Sequence, residues 1–200
     1  GRLEALFNYQ TLITELTGLP VANASLLDEG TAAAEAMLLA HSQSKKKDFI
    51  VDDKIFPQTL EVLQTRARPL GINIVKVDLD KLVDLESLEK AFGVIIQYPN
   101  NHGALKYHDG FLRCAEAYKC MKIAIVDPLC QVLMKPVGEM GFDVAVGSMQ
   151  RFGVPMGFGG PHAAFFATTD KYKRKIPGRI VGQSVDCLLY TSPSPRDATL

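Results

Sequence analysis

Phe49-Ile-Val51 opens the stretch that decides the fold, and the pattern it starts runs on to Lys122-Ile-Ala-Ile-Val126. Two further short apolar runs lie between them, Ile72 to Val77 and Val94 to Gln97. The separating segments Pro57 to Arg68, Leu82 to Ala91 and Gly110 to Lys119 are longer and mix polar with apolar residues. Pro57 suits a first helical position, where no amide donor is needed, and Gly71 lies just beyond that helix. Asp143 to Val146 and Ala163 to Ala167 read as a fifth and a sixth strand. Short strands alternating with helices predict an α/β domain, a three-layer α/β/α arrangement around a mainly parallel sheet.

Two helices are expected upstream. Leu3 to Thr17 places Leu3, Leu6, Phe7, Ile13 and Leu16 at helical spacing, and Gly18 and Pro20 stop it. An alanine-rich helix starts somewhere in Asp28 to Thr31 and lasts to about Ala40. Ser42 to Asp48, with Lys45, Lys46 and Lys47, is expected to be a solvated loop. Parallel sheets carry ligand-handling residues at the carboxyl ends of their strands. Tyr98 to Gly103, Asp127 to Leu129 and Gly147 to Pro155 are predicted to lie there.

Composition narrows the function classes. The 200 residues include 22 basic and 22 acidic side chains, for a formal net charge of +0. A neutral chain lacks the basic excess that draws a protein to nucleic acid or a membrane surface, so neither is expected as a partner. With 47% hydrophobic residues there is enough apolar material for a core. No apolar run approaches the ~20 residues that span a bilayer, and the start does not resemble a secretory signal. The four cysteines form no C-x-x-C pair and the four histidines are scattered, so no metal site is expected. Reduced thiols in a reducing compartment are the expectation. The chain opens at Gly1 without a methionine and reads as a piece of a longer polypeptide.

Three segments invite chemistry. Gly30 and Thr31 stand at a helix start, where free amides and the positive dipole end attract phosphate, but the adjacent Asp28 and Glu29 repel an anion. Asp127 ends an apolar strand. There a carboxylate either holds a protonated ring nitrogen of an electron-withdrawing cofactor or caps the turn that Pro128 begins, and both readings stay open. Phe152 to His162 holds four glycines and two prolines, too many for a regular element, and matches neither the Walker nor the dinucleotide fingerprint.

Gly1-Arg-Leu-Glu-Ala-Leu-Phe-Asn-Tyr-Gln10, the stretch from Leu16 to Ala36, and Gly147 through Gly153-Val-Pro-Met-Gly-Phe-Gly-Gly-Pro-His162 to Phe166 closely resemble the amino-terminal half of the glycine cleavage system P-protein family. Gln97-Tyr-Pro-Asn100 and Lys175 to Gly182 resemble it too, so the likeness covers residues 1–186. It implies the large domain of the aspartate-aminotransferase-like, fold type I, pyridoxal phosphate enzymes. The implied activity is glycine dehydrogenase (decarboxylating), which releases carbon dioxide from glycine and passes the aminomethyl group to the lipoyl arm of H-protein. A dimer of the full protein is implied, in the cytoplasm of a bacterium or the mitochondrial matrix of a eukaryote.

One departure matters. Pyridoxal phosphate chemistry needs a lysine amine to hold the coenzyme aldehyde covalently. In the carboxyl-terminal half of long family members a lysine precedes the glycine loop; here Gln150 occupies that place, and Arg151, permanently protonated, is no substitute. No catalytic residue is therefore expected in this half. Gly30, Thr31, Asp127 and Gln150 become candidates for a degenerate cofactor site, with pyridoxal phosphate bound by the carboxyl-terminal catalytic half. Two alternatives stand beside this: a non-catalytic subunit paired with a separate catalytic chain, and a free-standing pyridoxal phosphate enzyme of aminotransferase type. Residues 187–200, with two Ser-Pro steps and no apolar period, are expected to be a non-native or disordered tail.

Overall fold

The computed structural model describes residues 1–182 except Leu82 and Pro161. The expected tail at 187–200, and the last residues of the family-like part, lie outside the described residues. Helix α1, Arg2–Thr17, closes at Gly18 in the left-handed conformation (φ 67°), which glycine adopts without strain. Strand β1, Val21–Ala22, leads to α2, Glu29–His41. Then β2 (Asp48–Asp52), α3 (Pro57–Ala67), β3 (Asn73–Val77), α4 (Leu85–Lys90) and β4 (Ala91–Tyr98) alternate. They are followed by α5 (Asp109–Ala117), β5 (Met121–Val126), α6 (Pro128–Leu133), β6 (Val144–Ser148) and β7 (Ala164–Thr168).

The seven strands form one sheet in the order β1-β7-β6-β5-β4-β2-β3. Every pairing from β3 through β6 is parallel, whereas β7 runs antiparallel to both β6 and β1. The α/β/α expectation is met. The two-residue β1 and the six-residue α6 had no sequence signal: the first is too short for a period, and the second hides behind Asp127-Pro128, which also reads as a turn. The helix expected over Leu82 to Ala91 is shorter. The Asp84 carboxylate accepts the Glu86 amide and fixes the start, and Ala91 already belongs to β4.

Alternate strand residues divide between two layers. On one face Phe49, Val51, Ile95, Ile123, Val144 and Phe166 pack beneath the alanine side of α2 and Leu63 of α3. On the other, Ile96, Tyr98, Ala124, Val126 and Phe165 meet Ile13 of α1 and Leu112 of α5. Ile50 and Val94 pack on that side against Leu88 of α4 and Ala115 of α5. From β2 the chain crosses outward to β3, while β4, β5 and β6 succeed one another in the opposite direction. The loops after β2 and β4 therefore diverge, and parallel sheets open a crevice at such a reversal.

Gly147 on β6 allows the strands to approach there. A Cβ at this position would stand 2.1 Å from the Val126 carbonyl oxygen and 2.7 Å from the Phe165 ring. Gly147→Ala is expected to cost about 3 kcal/mol or more, because backbone and a buried ring must both shift. A urea unfolding midpoint unchanged from wild type would contradict this packing.

Candidate functional site

The crevice is a cleft of about 570 Å³ at the carboxyl edge of the sheet. The amino end of α2 supplies Asp28, Glu29 and Gly30 to its wall, and the start of α3 supplies Phe56 and Thr59. Tyr98, Asp127, Ser148, Gln150 and Arg151 come from the ends of β4, β5 and β6, and His162 from the glycine-rich loop. Gly30, Asp127 and Gln150 are thus brought together, as are all three loop segments expected there. Thr31 is not among the lining residues; its amide donates to the Asp28 carboxylate at 2.7 Å, the bond that starts α2.

Asp127 takes the capping role. Its Oδ1 accepts the Leu129 amide at 2.9 Å, which starts α6, and its Oδ2 lies 3.1 Å from Arg151 Nε. Both carboxylate oxygens are engaged by the protein's own groups. Gln150 begins a short 3-10 turn that ends at Gly153, with φ 109°. Its Nε2 lies 3.5 Å from where a Cβ on Gly160 would stand, so the side chain lies against the glycine-rich loop.

Glu29 is the member that sequence reasoning undervalued. Gln97 Nε2 lies 3.4 Å from its carboxylate, and Ser148 and Thr59 line the same cleft. Gln97 is oriented by the Phe56 amide, which donates to its Oε1 at 2.8 Å. Burial pushes the Glu29 carboxyl up to about 7, and the Asp127 charge adds to this against the lowering effect of the polar groups beside it. The sequence shows only an acidic residue at a helix start; the burial comes from α3 and β6, which fold over it.

Beside the cleft, at the ends of β2 and β3, Lys54 joins three carboxylates. Its Nζ lies 2.5 Å from Asp78, 3.2 Å from Asp80 and 3.3 Å from Asp53. The hydrogen bond from Lys54 holds the Asp78 carboxyl down at about 2. On the adjoining strand end Asp52 is 2% exposed, and burial raises its carboxyl to about 6. Among the described residues no group of three or more His, Cys, Asp or Glu is placed to hold a metal ion. No described helix is long and apolar enough to cross a membrane.

The family described as glycine cleavage system P-protein matches residues 1–191. A glycine dehydrogenase (decarboxylating) from Prochlorococcus marinus is 58% identical over 189 residues, covering 93% of this chain and 19% of that protein. The chain thus spans about a fifth of the length of the curated relatives it matches. A crystal structure of glycine decarboxylase (P-protein) of the glycine cleavage system, in inhibitor-bound form, matches with TM-score 0.85 at 38% identity. That match covers 92% of this chain and 43% of the other. A Campylobacter jejuni protein described as an O-acetylhomoserine (thiol)-lyase, carrying N'-pyridoxyl-lysine-5'-monophosphate, shares the fold at TM-score 0.66 and 16% identity. There the coverage is 82% of this chain and 40% of that one.

The raised carboxyls set a pH dependence. Folding favours protonated Glu29, so its contribution is fully present below about pH 4.5 and is lost as pH rises through about 7. The loss is on the order of 3 kcal/mol. Asp52 acts in the same direction between 3.8 and about 6, whereas Asp78 acts oppositely but only below 3.8. Glu29→Gln is therefore expected to flatten the decline in stability between pH 5 and pH 8, and parallel urea titrations of both proteins read it directly.

Proposed function

The chain belongs to the glycine cleavage system P-protein family, and on that premise we propose that it is a segment of a glycine dehydrogenase (decarboxylating) whose own cleft does not carry the reacting coenzyme. Gln150 is the observation that carries this reading. It stands on the turn after β6, where the family resemblance calls for the lysine that holds pyridoxal phosphate. A carboxamide nitrogen is not basic enough to add to the coenzyme aldehyde and keep it. Arg151, the neighbouring candidate, pairs with Asp127 and remains a guanidinium.

The other positions agree. A pyridine nitrogen stays protonated when a free carboxylate faces it. Asp127 instead has its oxygens occupied by the Leu129 amide and Arg151. The residues at this cleft do not fit pyridoxal phosphate, and no catalytic step is assigned to them. In this reading the coenzyme binds in the carboxyl-terminal half of the longer protein, which decarboxylates glycine and passes the aminomethyl group to the lipoyl arm of H-protein. The half described here serves as a folded scaffold for that catalytic partner within a dimer, in the cytoplasm of a bacterial source.

A second arrangement has its own support. The same segment covers 43% of the solved P-protein chain but 19% of the Prochlorococcus protein, so the solved chain is less than half as long. Scaffold and catalytic half as separate subunits is therefore a genuine variant of the same proposal.

The test uses the full-length protein, or the two-subunit complex, loaded with pyridoxal phosphate and reduced with borohydride. Peptide mapping by mass spectrometry is expected to find the pyridoxyl group outside residues 1–186. A stable adduct on any lysine within them would overturn the reading.

A further inference from the structure

We propose that this cleft is closed to phosphorylated ligands by its own side chains, with the Glu29 carboxyl occupying the place at the amino end of α2 where a phosphate would bind. The inference rests on the scaffold reading above and deepens it. Absence of the amine at position 150 becomes one of two independent barriers.

A phosphate at a helix start is held by first-turn amides, a nearby hydroxyl and an adjoining backbone N–H. Part of that donor set is already engaged here. The Thr31 amide donates to Asp28 at 2.7 Å. Ser148, at the end of β6, and Thr59, on the first turn of α3, line the cleft beside Glu29. Gln97 donates to Glu29 from β4 and cannot turn its amide away without leaving the Phe56 N–H unpaired. The Glu29 carboxyl thereby lines the cleft at the start of α2, with the Gln97 amide donating to it from β4.

Charge reinforces this occupation. Asp28, Glu29 and Asp127 line the cleft, and Arg151 there already pairs with Asp127. A phosphate dianion entering the cleft meets acidic side chains on its wall and no unpaired arginine. Gly30, whose position invited a phosphate reading, has a packing explanation: a Cβ there would stand 3.1 Å from Val62 on α3. Glycine at this position lets α2 and α3 approach, whether or not a ligand is near.

The experiment restores the amine and then clears the plug in the full-length protein. Gln150→Lys is compared with the triple variant Gln150→Lys/Asp28→Asn/Glu29→Ser, in which asparagine keeps the helix cap while both charges are removed. Each is incubated with pyridoxal phosphate, reduced with borohydride and mapped, with the label outside residues 1–186 as internal standard. The triple variant is expected to carry at least tenfold more pyridoxyl group at position 150 than Gln150→Lys alone. Equal labelling of the two, high or low, overturns the proposal. So does labelling of Gln150→Lys approaching one group per chain, whatever the triple variant does, which keeps the test decisive if that variant folds poorly. Failure here leaves the scaffold reading intact, whereas a wild-type adduct within residues 1–186 defeats that reading instead.

Discussion

Ala32, Ala33, Ala36 and Ala40 are almost fully buried against the sheet, and their small side chains let α2 lie close to the strands beneath it. A helix buried on so much of its surface has little freedom to slide, because its position is fixed by packing on two sides. Its amino end is thereby held above the carboxyl ends of β4 and β6, with α3 covering it from outside. The cleft, the burial of Glu29 and the engagement of Gln97 all depend on that placement. A helix with large side chains on the same face would stand further off and open the crevice to water.

With the helix fixed, the chemistry at its tip depends on which groups the chain places there. An anion-binding helix start leaves amides free and surrounds them with hydroxyls or cations. This one caps itself with Asp28, buries a second carboxyl beside it, and pairs the nearby arginine with Asp127. The frame is shared at TM-score 0.66 with a protein carrying the pyridoxyl-lysine group.

Much of the architecture was legible because strand and helix periods are local properties. Phe49 to Val51, Val94 to Gln97 and Lys122 to Val126 are apolar runs in strands with both faces covered, and parallel strands in such sheets read that way. The antiparallel direction of β7 was not legible, since strand direction depends on the long connection after β6 and leaves no periodic trace. At the site, Gly30, Asp127 and Gln150 were recognised by type and position. The burial of Glu29 was missed because the residues around it, Thr59, Gln97 and Ser148, lie from 30 to 119 residues away in sequence. Asp127 could be read as cap or cofactor partner from the sequence; in the structure it caps α6 through the Leu129 amide and meets Arg151.

The segment after Ile176 crosses the start of the chain and is tied to it. The Gln10 amide both donates to the Val181 carbonyl and accepts its N–H, at 2.8 Å each. Asn23 donates to the Pro177 carbonyl at 3.1 Å, and the Ala24 amide donates to that of Arg179 at 2.7 Å. Tension applied between α1 and whatever continues beyond Val181 would load these clasps before it reached the sheet.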